Sequence, residues 1–277
     1  MDKKKTLYIS DLDGTLLNKS ADLSGFTTGA LNTMIAGGLC FSIATARTFA
    51  TVGKILADVT IHLPIILMNG VLIYDMESQR YIQINALAPE TAAAVIAALK
   101  TFEITGFMYE LRDGVLMTYH ESLEQKPLRD FVEERVTRYK KSFSHIDSFS
   151  AAPLEHIIYF SLLDTQERLR PVHDLLVRQP GLNLTMYKDI YSDGLWYLEI
   201  FNGNASKKNA VTQLRTTLGF DRVVGFGDNM NDLPMFEVCD VRVAVKNANP
   251  EVKAAADYIC GANDEDGVVK WLAENAL

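Results

Sequence analysis

Three strand-length runs, at residues 7–10, 39–44 and 65–68, are apolar on both faces, and they constrain the fold of this chain more than any other feature. A strand with one wet face alternates apolar and polar residues. Continuous apolar runs belong instead to strands covered on both sides, as in a parallel sheet flanked by helices. The segment between the first two runs supports this reading. Residues 27–37 form an amphipathic pattern that stops at Gly37-Gly38, a helix C-terminal signal. The same grammar returns late in the chain, at residues 222–226, 241–245 and 258–259. A doubly wound, mostly parallel α/β core of Rossmann-like type is therefore expected, built from the two ends of the chain.

The middle of the chain has another pattern. Residues 89–102 read as an alanine-rich helix with Pro89 and Glu90 in its first turn. Residues 106–111 and 115–120 flank Arg112-Asp113-Gly114, a hairpin signal. A charged helix at 128–141 follows, then a strand at 156–163, a helix at 165–178 and strands at 182–187 and 195–201. Helix-strand-strand thus occurs twice, which predicts an inserted α+β domain with a largely antiparallel sheet and helices on one face. The expected division is a core segment at 1–82, the insert at 83–199 and a second core segment at 200–277.

The net charge of -8 argues against a nucleic-acid or anionic-membrane surface, so positive charge for any anionic substrate must be concentrated locally. No segment approaches the ~20 apolar residues that span a bilayer, and the lysine-rich start lacks the form of a signal peptide. Cys40, Cys239 and Cys260 are widely spaced and form no CxxC pair, as expected of thiols in a reducing cytoplasm. The five scattered histidines show no zinc-ligand spacing.

The chemistry gathers where the strands end. Asp11-Leu12-Asp13-Gly14-Thr15 follows the first run, and two carboxylates so placed call for a divalent cation or a shared proton. Thr45 follows the second run and Asp228 follows Val223-Val224-Gly225-Phe226-Gly227. Lys207 precedes a helix that feeds the Asp228 strand. In a doubly wound sheet these strand ends meet in one crevice. Carboxylates, a hydroxyl and an ammonium gathered there are the parts phosphoryl transfer needs: a nucleophile, an acid–base group and cationic charge. Plainer readings stand beside this one. Asp11-Leu12-Asp13-Gly14-Thr15 also suits an Asx-type turn, and Asp228 to Asp232 suits a helix cap.

DLDGTLL from Asp11, ATAR from Ala44, NASK from Asn204 and GDNMND from Gly227 resemble, in order, the four motifs of the haloacid dehalogenase superfamily of phosphatases. Asn69-Gly70 and the NDEDGV string from Asn263 resemble its Cof-like branch, which carries a large α/β (C2B-type) cap where this chain has its insert. The resemblance spans nearly the whole chain. It implies that Asp11 attacks phosphorus and that Asp13 is the acid and base. It implies that Thr45 and Lys207 hold the phosphoryl group, with Arg47 and Asn231 as further substrate contacts. Mg²⁺ would be held by Asp11, the Asp13 backbone carbonyl and Asp228, and Asp232 would support Lys207 or the metal shell.

The implied activity is Mg²⁺-dependent hydrolysis of small soluble phosphomonoesters, sugar phosphates or phosphorylated cofactors, through an aspartyl phosphate. The cap would close over the site and exclude water. The alternative is a sugar-phosphate phosphotransferase or mutase using the same phospho-aspartate. Expected partners are a small phosphorylated metabolite, with no nucleic acid and no membrane, for a cytoplasmic monomer or homodimer. A receiver-like signalling module is disfavoured, because its accepting aspartate would stand where this chain has Asn69. A sensor without turnover is disfavoured by the intact Asp11-Asp13 pair. Two departures bear on the site. Ala46 stands where the family often has Gly, and a position needing φ > 0 would make alanine cost about 1 kcal/mol. Lys208 leaves two lysines to choose between. The NDEDGV string reads as loop and helix cap, and Tyr187, Tyr191, Trp196 and Tyr197 as strand packing with an aromatic wall as the rival reading.

Overall fold

The computed structural model describes residues 5–189 and 192–276. In chain order, the first segment carries β1 (Thr6–Ser10), α1 (Gly25–Ala36), β2 (Cys40–Ile43), α2 (Phe49–Ile55), β3 (Ile65–Leu67), β4 (Leu72–Asp75) and β5 (Arg80–Ile84). The middle carries α3 (Pro89–Thr101), β6 (Phe107–Arg112), β7 (Val115–His120), α4 (Lys126–Tyr139), β8 (Ser144–His145), β9 (Ile157–Thr165), α5 (Gln166–Leu176), β10 (Leu182–Lys188) and β11 (Leu195–Asn202). The last segment carries α6 (Lys207–Leu218), β12 (Arg222–Gly227), α7 (Leu233–Phe236), β13 (Val241–Val245), α8 (Pro250–Ala255), β14 (Tyr258–Cys260) and α9 (Gly267–Asn275). No described helix is long and apolar enough to cross a membrane.

The chain divides into two compact units. One joins the residues up to Ile82 to those from Ser206 onward, and the other runs from Gln83 to Ala205. The second crossing lies beyond the expected Glu199 because β11 continues to Asn202 as a full partner of β9 and β10. Cutting at Glu199 would sever that ladder.

In the first unit, five parallel strands are ordered β14-β13-β12-β1-β2. Leu7, Ile9, Ile43, Val223 and Phe226 are fully or nearly fully buried, as two-sided coverage requires. Ser24 caps α1 by accepting from the Thr27 amide, so the helix begins slightly earlier than its apolar pattern suggested. The third apolar run departs from expectation. β3 leaves the parallel sheet after a single bridge, Ala44 to Ile66, and pairs antiparallel with β4 in a three-stranded sheet ordered β3-β4-β5. The cause is the turn that follows it. Met68, Asn69 and Gly70 have φ of 50°, 54° and 94°, and this left-handed run sends the chain straight back.

The second unit is a six-stranded sheet ordered β10-β11-β9-β6-β7-β8, antiparallel except where β8 pairs with β7. Helices α3 and α5 cover one face around Leu99, Met108, Phe160, Leu169 and Leu198. The expectation that all helices share this face is corrected. Phe107, pointing opposite to Met108, stacks on Phe131 of α4 at 4.8 Å, so α4 packs on the other side. The strand aromatics follow the same alternation and pack, as expected. Tyr187 and Tyr197 stack on each other at 5.5 Å. Trp196 points oppositely and packs into the helix-covered core. Tyr191 lies outside the described residues.

Candidate active site

The site is assembled at the C-terminal edge of the parallel sheet. β1 lies between β2 and β12, and the ladder continues past both strands, with the Asp11 amide donating to Phe226 at 3.0 Å and the Ala44 amide to Ser10 at 2.9 Å. That register places Asp11, Thr45 and Asp228 at one end of three neighbouring strands. After Asp11 the chain makes a tight turn. Asp13 is extended (φ -71°, ψ 120°) and Gly14 is left-handed (φ 76°). Glycine has no Cβ to oppose that conformation. Thr15 closes the turn by donating its hydroxyl to Asp228 Oδ1 at 2.8 Å, which ties the first motif to the fourth.

Asp232 organises the other side. One carboxylate oxygen accepts from the amides of Asp228 (2.9 Å) and Asn229 (3.1 Å). The other accepts from Lys207 at 2.6 Å. Its close approach needs Gly227, where a Cβ would sit 2.7 Å from that of Asp232. Lys207 is the first residue of α6, after the Ser206 cap, and its ammonium also reaches Asp11 Oδ1 at 2.7 Å. Lys207 is 2% exposed and Asp232 0%. Of the two adjacent lysines it is Lys207 that enters this cluster, while Lys208 pairs with the exposed Glu237.

Oxygen atoms of Asp11, Asp228 and Asp232 all lie within 4.8 Å of one another. Three buried carboxylates face one ammonium. Burial pushes the Asp11 carboxyl up to about 8, with Lys207 opposing and Asp232 and Asp13 adding to the rise. Asp228 is likewise raised well above the carboxylate range by burial, then by Asp232 and Asp11. Burial works against the Lys207 ammonium, yet the charges of Asp11 and Asp232 overcome it and raise the lysine. In the cation-free protein the Asp11 carboxyl is raised, since one ammonium cannot offset three carboxylates and their desolvation. The all-oxygen donor set and its surplus negative charge fit a hard divalent cation.

Other predicted residues take less expected places. The Asp13 carboxylate lies apart from the three, gripped by Arg47 through Nε and a terminal nitrogen, both at 2.6 Å. The Arg47 side chain is only 8% exposed, held inside the site by that grip. Asn231 donates to Asn69 Oδ1 at 3.3 Å. The Thr45 hydroxyl accepts from the Arg47 amide at 3.1 Å, and the amides of Asn69 and Met68 donate to the carbonyls of Thr45 and Arg47. The turn at residues 68–70 therefore supports the Thr45 loop. Its Gly70 is required, since a Cβ there would meet the Ser206 carbonyl oxygen at 2.2 Å. Asn69-Gly70 after an apolar run was the signal for this turn. Ala46 is absent from the left-handed positions among the described residues, so alanine carries no such strain there.

A model of the haloacid dehalogenase-like hydrolases matches residues 8–272. The chain belongs to that family. Among curated relatives of this hydrolase, the 5-amino-6-(5-phospho-D-ribitylamino)uracil phosphatase YwtE of Bacillus subtilis is 28% identical, with 95% of each chain covered. The pyridoxal phosphate phosphatase YbhA of Escherichia coli is 23% identical over 96% of this chain and 97% of its own. The crystal structure of a haloacid dehalogenase-like hydrolase from Bacteroides thetaiotaomicron superposes with a TM-score of 0.80 at 24% identity, covering 98% and 99% of the two chains. The hydrolase is a phosphatase of the Cof-like branch.

Proposed function

We propose that this hydrolase is a Mg²⁺-dependent phosphatase of small soluble phosphomonoesters, working through an aspartyl phosphate on Asp11. The observation that carries the reading is the Asp11–Lys207–Asp232 chain beside Asp228, at 2.7 and 2.6 Å. It holds a buried carboxylate next to a fixed ammonium and a cation-ready carboxylate cluster. Asp11 and Asp228, with the Asp13 backbone carbonyl, are the proposed cation ligands. A bound Mg²⁺ would screen the negative oxygens of the substrate and of Asp11 from each other.

In the first step an Asp11 oxygen bonds to phosphorus while the ester P–O bond breaks. Asp13 gives its proton to the leaving oxygen. In the second step Asp13 takes a proton from water, the water oxygen bonds to phosphorus, and the bond to Asp11 breaks to release phosphate. Lys207 and the Thr45 hydroxyl stabilise charge on the transferring group. Arg47 grips both oxygens of Asp13 while that carboxylate is ionised, and one of the two contacts must release when Asp13 carries the proton. Asn231 contacts the phosphate or a bound water. The substrates named for YwtE and YbhA are phosphorylated small molecules, and a compound of that class is the proposed substrate.

The test uses an aryl phosphate. Asp11→Asn should abolish its hydrolysis with the fold intact, and substantial turnover in that variant would exclude the aspartyl-phosphate route. Asp13→Ala should accumulate a phosphoenzyme that breaks down slowly. Product analysis with sugar acceptors present separates hydrolysis from transfer.

A further inference from the structure

The late NDEDGV string is not used by the chemistry above, yet its first residue braces Asn247, whose side chain reaches the Asp11–Thr15 turn. Asn247 Nδ2 donates to the Gly14 carbonyl at 2.7 Å. Two residues on, the Asn249 amide donates to the Asp228 carbonyl at 2.8 Å. One loop after β13 therefore holds the backbone of both carboxylate-bearing loops. Asn247 is itself braced, since its Oδ1 accepts from the Asn263 amide at 3.0 Å. The Asn263 side chain then donates to the Leu17 carbonyl at 2.8 Å. These partners leave no choice of amide orientation. A backbone N–H can only donate and a carbonyl can only accept, so Asn247 must present oxygen to Asn263 and nitrogen to Gly14.

The location matters because Gly14 is the pivot of the Asp11–Thr15 turn. With no Cβ, its φ and ψ are soft. Rotation there would swing the preceding peptide, which carries the Asp13 carbonyl, away from the carboxylates of Asp11 and Asp228. The turn's own closing bond, from the Leu17 amide to Leu12 at 2.9 Å, spans the pivot without gripping it. The neighbouring acids serve another purpose. Asp264 accepts from the Lys19 amide, and Asp266 from the hydroxyls of Ser24 and Thr27, so both tie the string to the segment leading into α1.

We infer that Asn247, braced by Asn263, is a positioning residue that sets the spacing between the Asp11–Thr15 turn and the Asp228 loop, and so the affinity of the site for a divalent cation. This rests on the cation reading given under the proposed function. The experiment titrates Mn²⁺, a probe for oxygen-ligated divalent ions, into the cation-free full chain and follows free Mn²⁺ by electron paramagnetic resonance. Asn247→Ala should weaken binding about 10- to 100-fold, the usual range for outer-shell partners of metal ligands. Asn263→Ala should weaken it in the same direction but less, and Asp264→Ala should match the wild type. A folded Asn247→Ala that binds Mn²⁺ like the wild type overturns the inference. Should Asn247→Ala not fold, unchanged affinity in Asn263→Ala overturns it equally. A wild type that takes up no Mn²⁺ overturns the cation reading itself, a result visible before any variant is made.

Discussion

Lys207→Met isolates the electrostatic argument, because methionine keeps most of the lysine's volume and removes only its charge. The ammonium lies 2.7 Å from Asp11 and 2.6 Å from Asp232. At an effective dielectric of ~20, each contact is worth about 6 kcal/mol before desolvation is subtracted. Removing one member of a buried pair typically costs about 3–5 kcal/mol, since the partner remains as an uncompensated buried charge. Here two carboxylates would be left facing each other. Protonation relieves that repulsion, so the loss should be much larger at pH 9, above the raised Asp11 carboxyl, than at pH 5. Urea unfolding followed by circular dichroism, in chelator, measures it at both pH values. Lys208→Met is the control. Its pair with Glu237 is exposed on both sides, and such surface pairs contribute only about 0–1 kcal/mol. Equal losses for the two lysines, or a Lys207→Met loss that ignores pH, would refute the reasoning. Activity should follow the same split, with kcat falling about 10²–10³-fold for Lys207→Met, as when one donor to a charged transition state is removed.

Without added cation the Asp11 carboxyl, raised to about 8, favours folding only while it is protonated. Its contribution is full below the unfolded value of 3.8 and is lost as pH rises through about 8. Thermal unfolding in chelator should therefore fall over that window relative to Asp11→Asn, and Mg²⁺ should flatten the difference; a wild type that tracks Asp11→Asn throughout would deny the raised carboxyl. Arg47→Lys keeps the charge but loses the planar fork on Asp13, and kcat should drop about tenfold, or ~1.4 kcal/mol, with little change in overall stability. Steady-state kinetics beside a melting curve checks this, and an unaltered kcat would show that the grip is idle. Gly70→Ala should destabilise the protein by more than about 2 kcal/mol, because its Cβ would meet the Ser206 backbone. Gly114→Ala, also left-handed but in open space, should cost only about 1 kcal/mol.

The sequence by itself determined the parallel core, the insert and the addresses of Asp11, Thr45, the Lys207–Lys208 pair and Asp228. Each rests on local pattern: apolar runs of strand length, a turn glycine, and polar residues placed just after a strand. It also showed Asn69-Gly70 and NDEDGV as segments with some purpose. What it left open needed contacts between residues remote in the chain. Adjacent lysines at the start of a helix point about 100° apart, and only the packing of α6 against α7, β3 and the turn at residues 68–70 decides that Lys207 looks inward and Lys208 out. The partner of Asp13 lies 34 residues away in Arg47, and that of Gly14 lies 233 residues away in Asn247. Neither pairing follows from local periodicity. The placing of α4 on the second face was likewise settled by tertiary packing. A strand period says which residues share a face, but not which element covers it.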